Sequence, residues 1–201
     1  MIGIVVACCA VAGLAAGAVL SSGDDGGDKK GTSAEASQSA DEGTKSAAPD
    51  PAEPQAKSLN TLLATSNSSR TSVINAVESI KGCKNLKEAA KNLRTAAQQR
   101  NDLVTDLGQL TLDKLPGNTQ LTDSLTKAWQ ASAAADSHYA TWADQAAGKK
   151  GCHKGKAKRT HAVAEAEKSS GEATTSKKKA SELWNPIATK YGLTKREYTQ
   201  L

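Results

Sequence analysis

The chain has 201 residues, of which 26 are Lys or Arg and 21 are Asp or Glu, so its formal net charge is +5. The composition changes along the chain, which excludes one continuous domain. Residues 1–20 have no charged side chain, residues 21–57 have no aromatic or large aliphatic one, and residues 58–201 hold every aromatic residue. This last part is long enough for one hydrophobic core but not for two.

The first segment, residues 1–20, has the sequence MIGIVVACCAVAGLAAGAVL. A helix of this length spans about 30 Å, which is the thickness of the hydrocarbon core of a bilayer. No Lys or Arg precedes the apolar run, whereas a secretory signal peptide begins with a basic region. The segment is therefore predicted to be a retained transmembrane anchor, and the missing basic region indicates a start codon further upstream.

Two alternatives remain open for this segment. Cleavage of a signal peptide would release a secreted protein. The sequence VVAC, residues 5–8, also fits a lipoprotein cleavage box, which would place a lipid on Cys8. Against the lipoprotein, the residues that follow Cys8 are apolar or small up to position 20, where polar residues are usual.

Residues 21–57 form the second predicted segment, a linker with eight acidic and four basic side chains and hence a net charge of −4. It is predicted to be disordered because it has no large apolar side chain to bury. As a coil it spans about 30–36 Å on average. No basic cluster follows the anchor directly, so the positive-inside rule does not hold the C-terminal side in the cytoplasm. The predicted location is the cell membrane, with one span and an extracellular C-terminal domain.

Residues 58–201 carry 22 basic and 13 acidic side chains, a net charge of +9, and contain four segments with helical spacing of apolar residues. The first predicted helix covers about 59–81 and the second about 85–110. The chain then breaks at LPGN, residues 115–118, where Asn118 is placed to cap the next helix.

The third predicted helix, about 119–147, has the most regular pattern. Its apolar and small residues alternate steps of four and three, at Leu121, Leu125, Ala128, Ser132, Ala135, Tyr139, Trp142 and Ala146. The two aromatic residues of this stripe, with Trp129 at its edge, are predicted to anchor the core.

The fourth predicted helix, about 160–184, has a weaker pattern because Gly171 and Lys177 interrupt it. Pro186 is expected to end it, since proline lacks the backbone N–H that a helix needs. The tail beyond this point has Tyr191 and Tyr198 available to pack back on the domain or to meet a partner.

The fold is predicted to be all-α, because no segment alternates with period two for long enough to indicate a strand. Four helices with short connections favour an up-down-up-down four-helix bundle behind the N-terminal transmembrane helix and the disordered linker. The seam is rich in Ala and Ser and has no Phe, so we expect closely spaced helix axes and a thin core.

Cys83 and Cys152 are the two cysteines of the domain, and an even pair in an oxidising compartment favours a disulfide. Cys83 follows the first predicted helix and Cys152 follows the third. In an up-down-up-down bundle these two connections lie at the same end, so the pairing and the topology support each other. A zinc site that adds His153 and His161 is the alternative, but the chain has no CxxC or HxxxH pair.

Catalytic motifs are weak in this sequence. SLTK at 124–127 and SKKK at 176–179 match the S-x-x-K pair of penicillin-binding enzymes, but the partner motifs S-D-N and K-T-G are absent. His161 and Glu165 lie one helical turn apart, which is typical of a surface pair. The sequence has no G-x-S-x-G, no H-E-x-x-H and no phosphate-binding glycine loop, so neither an enzyme nor a cofactor is predicted.

The strongest surface feature is GKKGCHKGKAKRTH, residues 148–161, predicted to be held at Cys152 and mobile on either side. It contains six cations and no acidic residue: Lys149, Lys150, Lys154, Lys156, Lys158 and Arg159. No aromatic residue accompanies them, so stacking on nucleobases is not indicated and no nucleic acid partner is expected. Simple charge favours a phosphate-bearing polymer. The alternative is a solvated loop that only keeps the protein soluble.

Two stretches, AWQASAAADSHYATWAD (128–144) and ELWNPIATKYGLTKREY (182–198), resemble uncharacterised Ala-rich membrane-anchored or secreted helical proteins of actinobacteria such as Streptomyces. The resemblance covers about a quarter of the chain. It implies a Gram-positive envelope, whose wall polymers include phosphate-rich teichoic acids. It implies no activity and no site residues.

The sequence therefore predicts a membrane-anchored extracytoplasmic helical domain that serves as a non-enzymatic binding or structural module of the cell envelope. Its expected partners are the membrane, through residues 1–20, and an anionic wall polymer, through the basic stretch. The alternative is a sensor or accessory domain that binds an envelope protein through its aromatic C-terminal segment, with Trp184, Tyr191 and Tyr198 as contacts.

Overall fold

A computed structural model describes residues 50–201; the predicted anchor at 1–20 and residues 21–49 of the predicted linker lie outside this range. The described chain is helical apart from one small hairpin, which confirms the all-α class. Its helices are α1 (Ala52–Thr65), α2 (Arg70–Lys81), α3 (Leu86–Gln109), α4 (Asn118–Ala147) and α5 (His161–Lys190). The hairpin strands are β1 (Cys152–His153) and β2 (Lys156–Ala157), and one 3₁₀ turn covers Tyr198–Gln200. None of the helices in the described range combines the length and apolar character needed to cross a membrane.

The chain passes along the bundle four times, and we call each pass a limb. The first limb consists of two helices, so the prediction of one helix over 59–81 is wrong. The break lies at SNSS, residues 66–69, between α1 and α2. Serine side chains compete with helical hydrogen bonds by bonding to nearby backbone. Ser66 shows this directly, because its hydroxyl lies 2.8 Å from the carbonyl oxygens of both Leu63 and Gln200. The second contact ties the break to the C-terminal tail.

The start of α1 also corrects the predicted linker, whose last six residues, 52–57, are helical. Buried Ala52 and Ala56 extend the apolar stripe of Leu59 and Leu63 by about two turns toward the N-terminus. The backbone N–H of Ala52 donates to a carboxylate oxygen of Asp50 at 3.0 Å, which satisfies a free donor at the helix start. Alanine is a strong helix former, and here it is a core residue rather than a linker residue.

The last limb, α5, continues through Pro186 to Lys190, so the predicted end at this proline is wrong. An interior proline costs about 3 kcal/mol in an exposed helix. Here the residues on either side, Trp184, Ile187 and Ala188, are buried, and their packing offsets the cost. The helix ends at Lys190, and Gly192 turns the chain away from it. The φ of 64° at Gly192 allows the Leu193 N–H to donate back to the carbonyl of Ala188.

The core consists of two apolar clusters at opposite ends of the bundle. The tail cluster includes Leu59, Leu63, Leu107, Trp129, Trp184 and Leu201. The hairpin cluster includes Ile80, Leu93, Trp142, Ala146 and Val163. The limb α1–α2 runs from the tail cluster to the hairpin cluster, α3 returns, α4 follows α2 in direction and α5 follows α3. The chain therefore runs up-down-up-down, and both Cys83 and Cys152 lie at the hairpin end.

Candidate functional site

The basic stretch folds into a short antiparallel hairpin between α4 and α5. Cys152 pairs with Ala157 and His153 with Lys156. The two turn residues, Lys154 and Gly155, have φ angles of 48° and 72°, the positive values that a two-residue hairpin turn of type I′ requires. Lys154 is thereby presented at the tip.

The hairpin is held at more points than the single cysteine that the sequence predicted. The indole N–H of Trp142 donates to the carbonyl of Lys158 at 2.8 Å, and Lys158 N–H donates to the carbonyl of Gly151 at 2.9 Å. Gly151 itself sits against the end of α4, where a Cβ atom would lie well under 3.0 Å from the carbonyl oxygen of Gln145. The stretch is thus seated on the hairpin cluster.

The disulfide predicted from the sequence is present between Cys83 and Cys152, with their Cα atoms 6.2 Å apart. It joins the α2–α3 turn to the first strand of the hairpin. Because both sulfurs are committed to this bond, the alternative zinc site with His153 and His161 loses its thiolate ligands. Within residues 50–201 no three His, Cys, Asp or Glu side chains are close enough to hold a metal ion.

The six cations of the basic stretch, residues 148–161, divide into two groups. Arg159 is paired, since its guanidinium donates two hydrogen bonds, at 2.9 and 2.6 Å, to the two carboxylate oxygens of Glu167. This contact lowers the pKa of the Glu167 carboxyl. The other five are exposed and form no ion pair with any described residue: Lys149, Lys150, Lys154, Lys156 and Lys158. The free positive charge of this surface is therefore close to five.

The aromatic tail has a different arrangement from the predicted contact surface. Trp184 is completely buried in the tail cluster, and its indole N–H donates to the carbonyl of Thr194 at 3.0 Å. It is therefore a core residue and cannot touch a partner while the domain is folded. Tyr191 is half-buried, and its hydroxyl lies 2.9 Å from Asp50. Only Tyr198, at 37% exposure, presents its ring to solvent.

The catalytic-motif residues are dispersed. The hydroxyl of Ser124 donates to the carbonyl of Gln120 on its own helix at 2.7 Å. His161 is strongly exposed, and its Nε2 lies 3.6 Å from the Glu165 carboxylate, as expected of a surface pair.

A second candidate site, not predicted from the sequence, lies between the two apolar clusters. Each limb contributes one charged side chain to this level of the bundle, which we call the charged layer: Arg70, Arg100, Asp136 and Lys177. On every limb the charged residue follows the residues of one cluster and precedes those of the other. A cavity of about 320 Å³ opens here, beside the first turns of α2.

Arg100 and Asp136 are the buried members of the charged layer, at 5% and 3% exposure. Their Nε and Oδ2 atoms lie 3.1 Å apart, which is an ion pair. Neither Nε nor Nη1 of Arg100 has a hydrogen-bond partner among the described residues. A buried charged donor without such a partner is costly, so these N–H groups are poised for an acceptor.

The protonation of the charged layer follows from its burial. Burial raises the pKa of Asp136 to about 6, although the Arg100 guanidinium beside it acts in the opposite direction. Burial, together with the like charges of Arg100 and Arg70, lowers the pKa of Lys177 to about 8. At neutral pH the layer holds three cations and one carboxylate, and hence an excess of about two positive charges.

Comparison of the chain with protein-family models, with curated proteins and with solved structures gives no match. Two sites of the described domain bear on its function: the basic hairpin and the cavity of the charged layer.

Proposed function

We propose that the protein is a membrane-anchored binding module of the cell envelope whose helical domain contacts anionic wall polymers through the basic hairpin. The proposal rests on one observation. Five exposed lysines without ion pairs among the described residues lie within ten positions, 149–158, on the hairpin or directly beside it. A surface of this kind attracts a polyanion by charge alone and needs no shaped pocket.

Position supports the same function. The hairpin caps the end of the bundle opposite to the start of α1 at Ala52. The limb α1–α2 begins at Ala52 and ends beside the hairpin at Cys83, so the lysines lie at the end of the bundle away from the point where the preceding chain joins the domain. A polymer can approach them there.

The expected strength and salt dependence follow from counterion release. Each phosphate contact of a single-stranded polyanion contributes a slope of about −0.7 to log K against log salt. Five engaged lysines would give a slope of up to about −3.5, so affinity falls by about a hundredfold between 50 and 200 mM salt. Mere solubilising charge would give no saturable binding.

The test is binding of the full chain to purified glycerol-phosphate teichoic acid at several salt concentrations. We expect the triple variant Lys154→Gln, Lys156→Gln, Lys158→Gln to lose at least about tenfold in affinity and most of the salt slope. The matched control removes the same charge from exposed positions at the opposite, tail end of the bundle, at Lys127, Lys179 and Lys195. Its affinity should change by less than about threefold. Equal losses in both triple variants would reduce the interaction to net charge and refute a hairpin site.

A further inference from the structure

The cavity of the charged layer is lined by charged residues that play no part in polymer binding at the hairpin. Arg100 and Asp136 lie at the floor of the cavity. Lys177, which is partly buried, lies at its side, and the exposed Arg70 lies at its mouth. We propose that this cavity binds a small organic anion, with a carboxylate or phosphate head on Arg100 and Lys177 and an apolar body directed to the mouth. The inference stands on the cavity alone and does not depend on the function proposed for the hairpin.

Charge selects an anion. Three cations face one carboxylate, and that carboxylate already lies within ion-pair distance of Arg100. Nη1 of Arg100 has no hydrogen-bond partner in the described chain, and the Arg100 side chain is more than nine-tenths buried. A guanidinium presents a planar fork of N–H donors that matches the two oxygens of a carboxylate or a phosphate. A cationic ligand would instead add to the repulsion among Arg70, Arg100 and Lys177.

Hydroxyl groups complete the polar part of the cavity. Ser132, Ser170 and Thr174 line it, from α4 and α5. Ser170 and Thr174 lie one helical turn apart, and the Thr174 hydroxyl donates to the Ser170 carbonyl at 2.8 Å. Together with Arg100 and Lys177 they provide a few convergent polar groups in a concave site, which is the usual composition of small-molecule pockets.

Two exposed hydrophobic side chains line the mouth of the cavity. Ile74, at 49% exposure, and Tyr198, at 37%, are the exposed large hydrophobic residues of the described chain, and both line this cavity. They come from different elements, α2 and the C-terminal 3₁₀ turn. An apolar group held between them would cover both side chains. The volume of about 320 Å³ lies at the small end of ligand pockets, which suits a single ring with one acidic substituent.

The experiment is isothermal titration of the full chain with four probes of one shape. Phenylacetate and phenyl phosphate carry the anionic head; phenylacetamide is neutral and phenethylamine is cationic. We expect saturable binding of at least one anion and none of the other two. Backbone amide shifts in the protein should change first at the lining positions of α4 and α5. Absence of saturable binding by both anions at millimolar concentration would overturn the proposal.

Two variants locate the site. Lys177→Gln removes one contact to the head group, and we expect affinity to fall at least about tenfold, as for a lost charged hydrogen bond. Ser170→Leu fills the cavity without changing charge and should abolish binding. Lys168→Gln, at an exposed position of the same helix, is the matched control and should bind as the native chain does. Binding that survives both cavity variants, with their helical circular dichroism intact, would place the anion elsewhere and refute the assignment.

Discussion

At the scale of single residues, the least expected feature is an ion pair inside an Ala-rich bundle. Arg100 and Asp136 sit among small side chains, and both are almost completely buried. Taking two charges out of water costs several kcal/mol per ion, and their attraction repays this only with good geometry and further hydrogen bonds. The unpartnered donors of Arg100 show that the pair is incompletely satisfied. The charged layer therefore contributes less to the free energy of unfolding than apolar residues at the same positions would contribute.

The free-energy cost of burying the Asp136 carboxylate depends on pH in a predictable way. The pKa of Asp136 is raised from 3.8 to about 6, so the native state binds this proton more tightly than the unfolded state. The stabilisation is fully present below about pH 4 and is lost as the pH rises through 6. At 1.36 kcal/mol per unit, the loss is about 3 kcal/mol. The charged groups that face this carboxyl are Arg100, Arg70 and Lys177, and the pKa of Lys177, about 8, lies above this window.

The measurement is urea unfolding of the native chain and of Asp136→Asn between pH 3.5 and 7. The free energy of unfolding of the native chain, minus that of the variant, should fall by about 3 kcal/mol over this range. Asp123→Asn, on the exposed face of the same helix, should leave the native profile unchanged in shape. Parallel profiles for the native chain and Asp136→Asn would show that the buried carboxyl does not titrate in this window.

At the scale of elements, the sequence predicts best where apolar spacing and chain breaks agree. The helices predicted at 85–110 and 119–147 match α3 and α4 to within one residue at each end. Both have regular apolar steps and clear ends at LPGN and Gly148. The first and last limbs were less accurate, because serine competition at 66–69 and the packing around Pro186 act against the simple pattern.

The two candidate sites differ in how far the sequence predicts them. The lysines of the hairpin are contiguous in sequence, so composition alone located them. Strands of two residues are too short to show a period-two pattern, so the hairpin itself was not predicted. The charged layer joins four distant positions, and only Lys177, as an interruption of the α5 stripe, gave a signal. Which charges meet there is decided by how the limbs pack.

Gly151 tests how the hairpin is attached. Gly151→Ala would place a methyl group against the last turn of α4, far too close to the Gln145 carbonyl oxygen and to Cα of Ala146. Backbone atoms cannot yield easily, so we expect a destabilisation of about 1–3 kcal/mol in urea unfolding. Faster amide exchange at Lys158, whose N–H bonds to Gly151, should accompany it.

Gly171→Ala is the control for this substitution. Gly171 lies inside α5, and a Cβ atom there would meet nothing within 4 Å. Replacing a helical glycine by alanine in open space should stabilise the chain by about 1 kcal/mol. Opposite signs for the two alanines would support the seated hairpin. A neutral result at Gly151 would mean that the hairpin can lift from α4 without cost.

At the scale of the whole molecule, the domain has two small cores joined by four limbs rather than one continuous core. The tail cluster has the larger share of big side chains, including Trp129, Trp184, nine leucines and one isoleucine among its buried members. The hairpin cluster has fewer, and several of its members are alanines. The disulfide lies at this poorer end, where it adds a covalent link between the α2–α3 turn and the hairpin. We therefore expect it to matter more than a disulfide in a well-filled core.

The last prediction concerns removal of that link by Cys83→Ala with Cys152→Ala. The two cysteines are 69 residues apart, and closing a loop of this size stabilises a fold by about 4 kcal/mol on the chain-entropy account. Against a typical domain stability of about 5–15 kcal/mol, the loss is a large fraction. Urea unfolding should show it, and reduction of the native chain should give the same midpoint. Amide exchange should accelerate more in the hairpin cluster than in the tail cluster, because the link acts at one end. Uniform acceleration would instead mean that the two clusters unfold as one unit, and an unchanged midpoint would mean that the disulfide adds no stability.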